Sequence, residues 1–226
     1  MKQGGSEAAK RAAGESAAEA VEDGMVVGLG TGSTAAHAIR AIGRQVDAGR
    51  DVVGVPTSFQ SRELAREGGI PLSDLDEVSV DLAIDGADEV AGGDLIKGGG
   101  AAHAREKIVD ASADRFLVVA DPTKEAETLS QPVPVEVLSA ARTTVAESVR
   151  ELGGEPTLRT AERKDGPVVT DNGHLVLDCA FGDIDDPAAL GRELASLPGV
   201  VEHGLFVGLA DEVHVGSEDG VTVREP

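Results

Sequence analysis

Short apolar segments alternate with helical segments over the first 120 residues of the chain. The apolar runs at 25–27 and 78–84 have the length of buried strands, and glycines at 28, 30 and 32 turn the chain after the first run. Residues 34–42 then show the apolar spacing of an amphipathic helix. Because strands that alternate with helices form a mostly parallel sheet covered on both faces, the pattern predicts an α/β fold.

Further elements follow from the same periodicities. Helices are predicted at 6–21, 34–42, 59–68 and 101–112, and strands at 25–27, 51–57, 78–84 and 115–120. Ligands of such sheets bind beyond the carboxyl ends of the strands, so candidate ligand-binding and catalytic residues are expected in the turns that follow the strands.

The rhythm changes near residue 130, where two prolines interrupt it. The remaining pattern predicts a strand at 135–138, a helix at 140–152, strands at 157–160, 168–170 and 174–177, a helix at 186–197, and tail strands at 204–210 and 212–215. We therefore expect a Rossmann-like domain, residues 1–130 plus 205–226, and a smaller α+β, ferredoxin-like domain, residues 131–204. The tail is expected to return to the first domain.

The charge of the chain is strongly negative. Its 41 acidic and 20 basic residues give a formal net charge of -21, which argues against a nucleic-acid partner because phosphates require clustered Lys and Arg. Such self-repulsion is tolerated where abundant cations screen it, so we expect a halophilic protein. Transfer from molar to millimolar salt should lower its melting temperature, and a melting temperature independent of salt would refute this expectation.

Cysteine content and hydropathy bear on the compartment. Cys179 is the only cysteine, so no internal disulfide can form, and no apolar run approaches the length of a membrane span. We expect a cytoplasmic protein without a membrane partner. The histidines show no pair at metal-ligand helical spacing, and no metal or other cofactor is predicted; they lie at positions 37, 103, 174, 203 and 214.

Three glycine-containing turns carry the candidate chemistry. The first, residues 28–34, combines glycines with the hydroxyls of Thr31, Ser33 and Thr34 at a helix start, which suits an anion. It is not a dinucleotide fingerprint, because Ser33 stands where the last glycine would fall, and it lacks the lysine of a P-loop. Alone, it can also be a structural turn.

The second and third turns add charged groups. Asp85-Gly86-Ala87-Asp88 follows an apolar strand, although in so acidic a chain it can also be a solvated turn. Lys97, one of six lysines, precedes three glycines, which together can stabilise an oxyanion, and Glu106 lies early in the next helix. We expect all three turns at one edge of the sheet. An anion site, an oxyanion site and carboxylates without a nucleophile-base pair indicate proton abstraction next to a carbonyl.

The sequences G-T-G-S-T-A (30–35), D-G-A-D-E (85–89) and K-G-G-G-A-A followed by R-E-K-I (97–108) closely resemble those of the ribose-5-phosphate isomerase A family. The resemblance spans nearly the whole chain. It implies conversion of a pentose phosphate through an enediolate, with Glu106 as the general base, Asp85 assisting ring opening and Asp88 positioning hydroxyls. It further implies that Lys97 and the backbone of residues 98–100 stabilise the enediolate oxygen.

The resemblance also implies a sugar-phosphate substrate, no cofactor, and a homodimer or homotetramer. The substrate-binding residues that it implies are Lys10, Thr31, Gly32, Ser33, Thr34, Asp85, Gly86, Ala87, Asp88, Lys97, Gly98, Gly99, Gly100 and Lys124. Two alternatives stay open at this point. One is a non-catalytic sugar-phosphate sensor of the same fold, which would need a DNA-binding partner domain; the other is an acyl-CoA-transferase-like enzyme, for which no motif is present.

Overall fold

The computed structural model describes residues 5–163 and 165–226. Its helices are α1 (Glu7–Ala18), α2 (Ala35–Asp47), α3 (Phe59–Glu67), α4 (His103–Ser112), α5 (Arg142–Glu151) and α6 (Pro187–Ser196). Its strands are β1 (Met25–Leu29), β2 (Val52–Pro56), β3 (Val80–Gly86), β4 (Glu89–Ala91), β5 (Asp94–Ile96), β6 (Ala113–Ala120), β7 (Val133–Val137), β8 (Glu155–Leu158), β9 (Leu175–Ala180), β10 (Val200–His203), β11 (Leu205–Phe206), β12 (Glu212–Ser217) and β13 (Gly220–Arg224).

The chain divides into two compact units. Of the described residues, the first contains 5–87, 105–125 and 208–226, and the second contains 88–104 and 126–207. The expected first domain included residues 88–104, 126–130 and 205–207, which group with the second unit in the structure. Residues 1–4 of the expected first domain lie outside the described residues. Among the described residues, no helix combines the length and apolarity needed to cross a bilayer.

A six-stranded sheet organises the first unit. Its order is β13-β12-β6-β3-β1-β2, and every neighbouring pair is parallel except the edge hairpin of β12 and β13. Apolar residues of the strands pack against α1 and α2, whose alanines allow close approach to the sheet. The predicted α/β fold with a mostly parallel sheet is confirmed.

A hydrogen-bonded chain joins α1 to this sheet. The Ser16 hydroxyl lies 3.0 Å from His214 Nδ1, and His214 Nε2 lies 3.1 Å from a carboxylate oxygen of Glu212. The guanidinium of Arg115 donates to the other oxygen of that carboxylate. The hydrogen bond from Arg115 lowers the pKa of Glu212; burial opposes the shift in part, and His214 adds to it.

Glu212→Gln should therefore destabilise the protein in a pH-dependent way. A carboxyl group whose pKa is lowered by folding contributes stability above its unfolded pKa, about 4.3, and that contribution is lost as the pH falls through the folded pKa. We expect the variant to melt below wild type at pH 7, and the two melting temperatures to converge only as the pH falls below the lowered folded pKa of Glu212. Circular dichroism at matched KCl concentration measures this; a difference that persists unchanged into acid would contradict the expectation.

The second unit contains two antiparallel sheets. The larger has the order β10-β7-β9-β8 and, with α5 and α6, follows the chain order strand, helix, strand, strand, helix, strand. This is the ferredoxin-like arrangement expected from the sequence, and its core of Val, Leu and Ile includes Cys179. Burial raises the pKa of the Cys179 thiol to about 12, so this side chain is an inert part of the core.

Two expectations about the second unit are wrong. Residues 168–170 do not form a strand, since the only β-bridge of this segment joins Val169 to Leu175. Residues 205–206 do not return to the first unit, because β11 pairs with β5 in the smaller sheet of order β11-β5-β4. Strands of two or three residues are shorter than the windows on which periodicity can be recognised.

Candidate active site

Asp85 connects two of the sequence-predicted turns within the first unit. It lies fully buried near the end of β3, beside β1, and its Oδ1 accepts hydrogen bonds from the backbone N–H of Thr31 at 2.9 Å and of Gly86 at 2.6 Å. The parallel pairing of β1 and β3 places their carboxyl ends side by side. The structure thus brings the turn at 30–34 together with Asp85 and Gly86, and Ala87 follows directly.

Gly30 is required by this close approach. A Cβ atom at position 30 would lie 2.2 Å from Asp85 Oδ1, a distance at which the turn or the carboxylate must move. Gly30→Ala should cost about 1–3 kcal/mol of stability, the range seen for overpacking. Gly86→Ala is the matched control, because its Cβ would meet no atom closer than 3.5 Å. Denaturant unfolding of both variants measures this, and equal midpoints would disprove the steric argument.

The hydroxyl of Thr31 and the N–H of Gly32 are held by residues that the sequence did not single out. Thr31 Oγ1 lies 2.7 Å from the hydroxyls of both Thr57 and Ser58, which follow β2, and Gly32 N–H donates to Gln60 Oε1 at 3.1 Å. For Thr57 and Ser58, the sequence signal that could have identified them is a pair of hydroxyl residues at the end of a strand. These contacts show that polar donors and acceptors converge on the turn after β1.

The start of α2 completes this turn. Gly32 has φ +110°, a conformation that favours glycine, and Thr34 occupies the N-cap position of the 13-residue helix. Ser33 is exposed and Thr34 is buried. N–H groups at a helix start together with the exposed hydroxyl of Ser33 suit a phosphate group.

Glu106 occupies the first turn of α4 and is 3% exposed. Its neighbour Arg105 fixes the helix, donating from Nε to the Pro56 carbonyl at 2.9 Å and from Nη2 to Asp74 at 2.6 Å. One turn later, Val109 packs against apolar residues of the sheet. The backbone that carries Glu106 is therefore held by both polar and apolar contacts.

Two of the lysines predicted to bind substrate, Lys10 and Lys124, lie in the first unit. Lys10 lies on α1 and forms an ion pair with Glu7 at 3.0 Å, while Lys124 ends the short 3₁₀ turn Pro122–Lys124. The turn begins at Asp121, a fully buried carboxylate that the sequence reasoning missed and that accepts hydrogen bonds from the hydroxyl and N–H of Thr123. Burial acts to raise the pKa of Asp121, but these hydrogen bonds, one from Gly5, and the charge of Lys124 together lower it.

Asp88, Lys97 and the three glycines belong to the second unit. Gly99 N–H donates to Asp88 Oδ2 at 2.7 Å, so the structure brings Asp88 and the glycine turn together. Lys97 is 2% exposed; its N–H donates to the Gly204 carbonyl, and its ammonium lies 5.3 Å from the centre of the Phe206 ring. The turn follows β5, so the expectation that all three turns follow strands of one sheet is wrong for this one.

Among the described residues, no group of three or more His, Cys, Asp and Glu side chains has a geometry that could hold a metal ion. A parallel sheet with a glycine-containing turn at a helix start beside buried carboxylates is typical of an α/β enzyme that moves protons on an anionic substrate.

Comparison with known proteins agrees with this class. Residues 53–220 match the model of the family "Ribose 5-phosphate isomerase A (phosphoriboisomerase A)". A curated protein named ribose-5-phosphate isomerase A from Haloarcula marismortui is 82% identical over 224 residues, covering 99% of this chain and 98% of its own. The chain belongs to the ribose-5-phosphate isomerase A family.

Solved structures give the same result. The structure of ribose 5-phosphate isomerase A from Methanocaldococcus jannaschii superposes with a TM-score of 0.93 at 45% identity, covering 96% of this chain and 98% of its own. A D-ribose-5-phosphate isomerase in complex with phospho-erythronic acid superposes with a TM-score of 0.94 at 44% identity, covering 96% and 97%.

Proposed function

We propose that the protein interconverts D-ribose 5-phosphate and D-ribulose 5-phosphate. The observation that carries the proposal is its similarity, over 99% of its length, to an enzyme named for this reaction. The site geometry supports it, because buried carboxylates and an anion-binding turn are the groups that proton transfer on a sugar phosphate requires. The substrate is the open-chain sugar, whose carbonyl makes the neighbouring C–H acidic.

Glu106 is the proposed general base. It removes the proton from C2 of the aldose and returns a proton to C1, so one carboxylate serves both carbons and the reaction needs no net proton. Asp85 is proposed to assist ring opening, and Asp88 to position hydroxyls of the sugar.

Positive groups are proposed to stabilise the enediolate that forms between the two proton transfers. Lys97 and the N–H groups of residues 98–100 supply this potential, in keeping with the small number of lysines in the chain. The substrate anion is bound by the turn at 31–34 with Lys10 and Lys124. Because these groups supply the charge stabilisation, we propose that no metal or other cofactor takes part.

The setting of the reaction is also part of the proposal. We place the protein in the cytoplasm as a homodimer or homotetramer, which light scattering in molar KCl would distinguish. Relatives from haloarchaea, such as that of Haloarcula marismortui, accord with the acidic composition and with a halophilic protein.

Formation of ribulose 5-phosphate from ribose 5-phosphate tests the function. Purified protein in molar KCl should produce the ketose at the same rate with and without EDTA. Titration calorimetry with phospho-erythronic acid should show binding, since its carboxylate resembles the planar enediolate. Binding of ribose 5-phosphate without any turnover would instead support the sensor, and a rate abolished by EDTA would reject metal-free catalysis.

A further inference from the structure

Arg159, directly after β8, contacts the glycine turn of the second unit. Its Nη1 donates to the carbonyl oxygens of Gly98 at 2.8 Å and of Gly99 at 3.2 Å. Its Nε donates to Asp178 at 2.9 Å, and its Nη2 donates to the other oxygen of the same carboxylate. The guanidinium thus forms a bidentate ion pair with Asp178 on one side. On its other side it donates hydrogen bonds to two consecutive peptide carbonyls.

The backbone keeps this arrangement in register. Arg159 N–H donates to the Val176 carbonyl on β9, and Asp178 follows two residues later on the same face of that strand. The Arg159 side chain is 15% exposed and that of Asp178 is 30% exposed. A partly buried, bidentate pair of this kind is stronger and geometrically more defined than an exposed ion pair.

The hydrogen bonds from Arg159 to these two carbonyls fix the direction of two N–H groups. Both peptides are trans, and in a planar trans peptide the carbonyl and the N–H point in opposite directions. Because the carbonyls of Gly98 and Gly99 point toward Arg159, the N–H groups of Gly99 and Gly100 point away from it. The hydrogen bond from Gly99 N–H to Asp88 shows this orientation directly.

The turn needs such a restraint. Gly98 has φ +105°, Ala101 has φ +59°, and glycine peptides have more conformational freedom than others. A charged donor on the carbonyl also polarises the peptide, which strengthens the N–H at its other end as a donor. Orientation and polarisation act on the N–H of Gly100, which the proposed function assigns to the enediolate, and on the N–H of Gly99, which donates to Asp88.

We propose that Arg159, oriented by Asp178, is a positioning residue: by holding the Gly99 carbonyl it aims the N–H of Gly100 at the developing enediolate oxygen, and by holding the Gly98 carbonyl it keeps the N–H of Gly99 on Asp88. This proposal rests on the proposed isomerase function. Lysine cannot replace this arginine, because an ammonium lacks the planar fork that binds a carboxylate and two carbonyls at once.

Arg159→Lys tests the proposal, with Arg150→Lys on α5 as the matched control. Arg150 lies in the same unit and is exposed, and its guanidinium donates to a helix carbonyl at 3.3 Å. In Arg159→Lys we expect kcat to fall about 10- to 100-fold, the scale of a misplaced catalytic group, with little change in KM. The affinity for phospho-erythronic acid should fall with kcat, and the control should match wild type in both.

Asp178→Asn and Arg159→Ala complete the test. Asp178→Asn should lower kcat, as Arg159→Lys does. Millimolar guanidinium chloride should restore part of the activity of Arg159→Ala but should not change that of Arg150→Ala. Wild-type kcat and inhibitor affinity in Arg159→Lys would overturn the proposal. A loss of activity that follows the melting temperature alone, without a change in inhibitor affinity of the folded protein and without rescue, would also overturn it. An inactive wild-type protein would instead refute the proposed function.

Discussion

Glu106→Gln should lower kcat about 10²- to 10⁴-fold, the contribution typical of general acid–base catalysis. The amide has nearly the same shape as the carboxyl group but cannot accept the C2 proton. Glu106 is 3% exposed, so the melting temperature of the variant, measured beside that of wild type, shows whether the replacement preserves the fold. Binding of phospho-erythronic acid should persist, so kinetics and calorimetry together separate loss of the base from loss of the fold.

The control for this variant is Glu147→Gln, which makes the same replacement on the exposed face of α5. It should retain wild-type kcat. Near wild-type activity in Glu106→Gln would reject this residue as the base. The buried carboxylate Asp110, one turn further along α4, would then be the next residue to replace.

Lys97→Met should lower kcat about 10²- to 10³-fold, as expected when one group that stabilises an oxyanion is removed. Methionine keeps much of the length and apolar volume of the lysine stem, and it can still contact the Phe206 ring. The melting temperature of the variant, measured beside that of wild type, separates loss of the cation from loss of the fold. KM should change less than kcat, since the cation is needed most once charge has developed on oxygen.

Lys107→Met is the matched control, because it removes the same charge from the chain and so tests for a general effect of net charge. It should leave kcat close to wild type. An equal loss in both variants, or a loss in Lys97→Met expressed only in KM, would contradict the assigned role of Lys97.

The sequence predicted the main elements of the first unit well because their periodicities are strong. The helix expected at 59–68 is observed as Phe59–Glu67, and the strand expected at 51–57 as Val52–Pro56. The order β3-β1-β2 was not predictable, because no local pattern determines which strands become neighbours. The hydrogen bond from Thr31 to Asp85 depends on that order, so the sequence could place both turns at one edge of the sheet but could not predict the contact between them.

Residues 168–170 show how a local pattern can mislead. Two valines before an Asn-Gly turn are typical of a hairpin strand. In the structure, the Thr170 hydroxyl and the Asn172 amide instead donate to the fully buried carboxylate of Glu136 on β7. These side-chain hydrogen bonds hold the segment in place without a regular ladder.

Residues that act through single long-range contacts were missed for a similar reason. Arg159 lies 61 positions from Gly98, and nothing near it in the sequence signals a contact with the glycine turn. Gln60, whose side chain accepts a hydrogen bond from Gly32, appears in the sequence as an ordinary helical residue. Such partners become visible only when the topology has brought distant segments together.

Isomerisation of ribose 5-phosphate in D₂O, followed by NMR, shows whether Glu106 transfers the proton. We expect the wild-type protein to form ribulose 5-phosphate with deuterium at C1, because the proton taken from C2 by Glu106 can exchange with solvent before a proton is delivered to C1. Glu106→Gln should form neither product nor label at a comparable rate. Rapid product formation that persists in Glu106→Gln, or the absence of any product from wild-type protein that binds the sugar phosphate, would contradict this expectation.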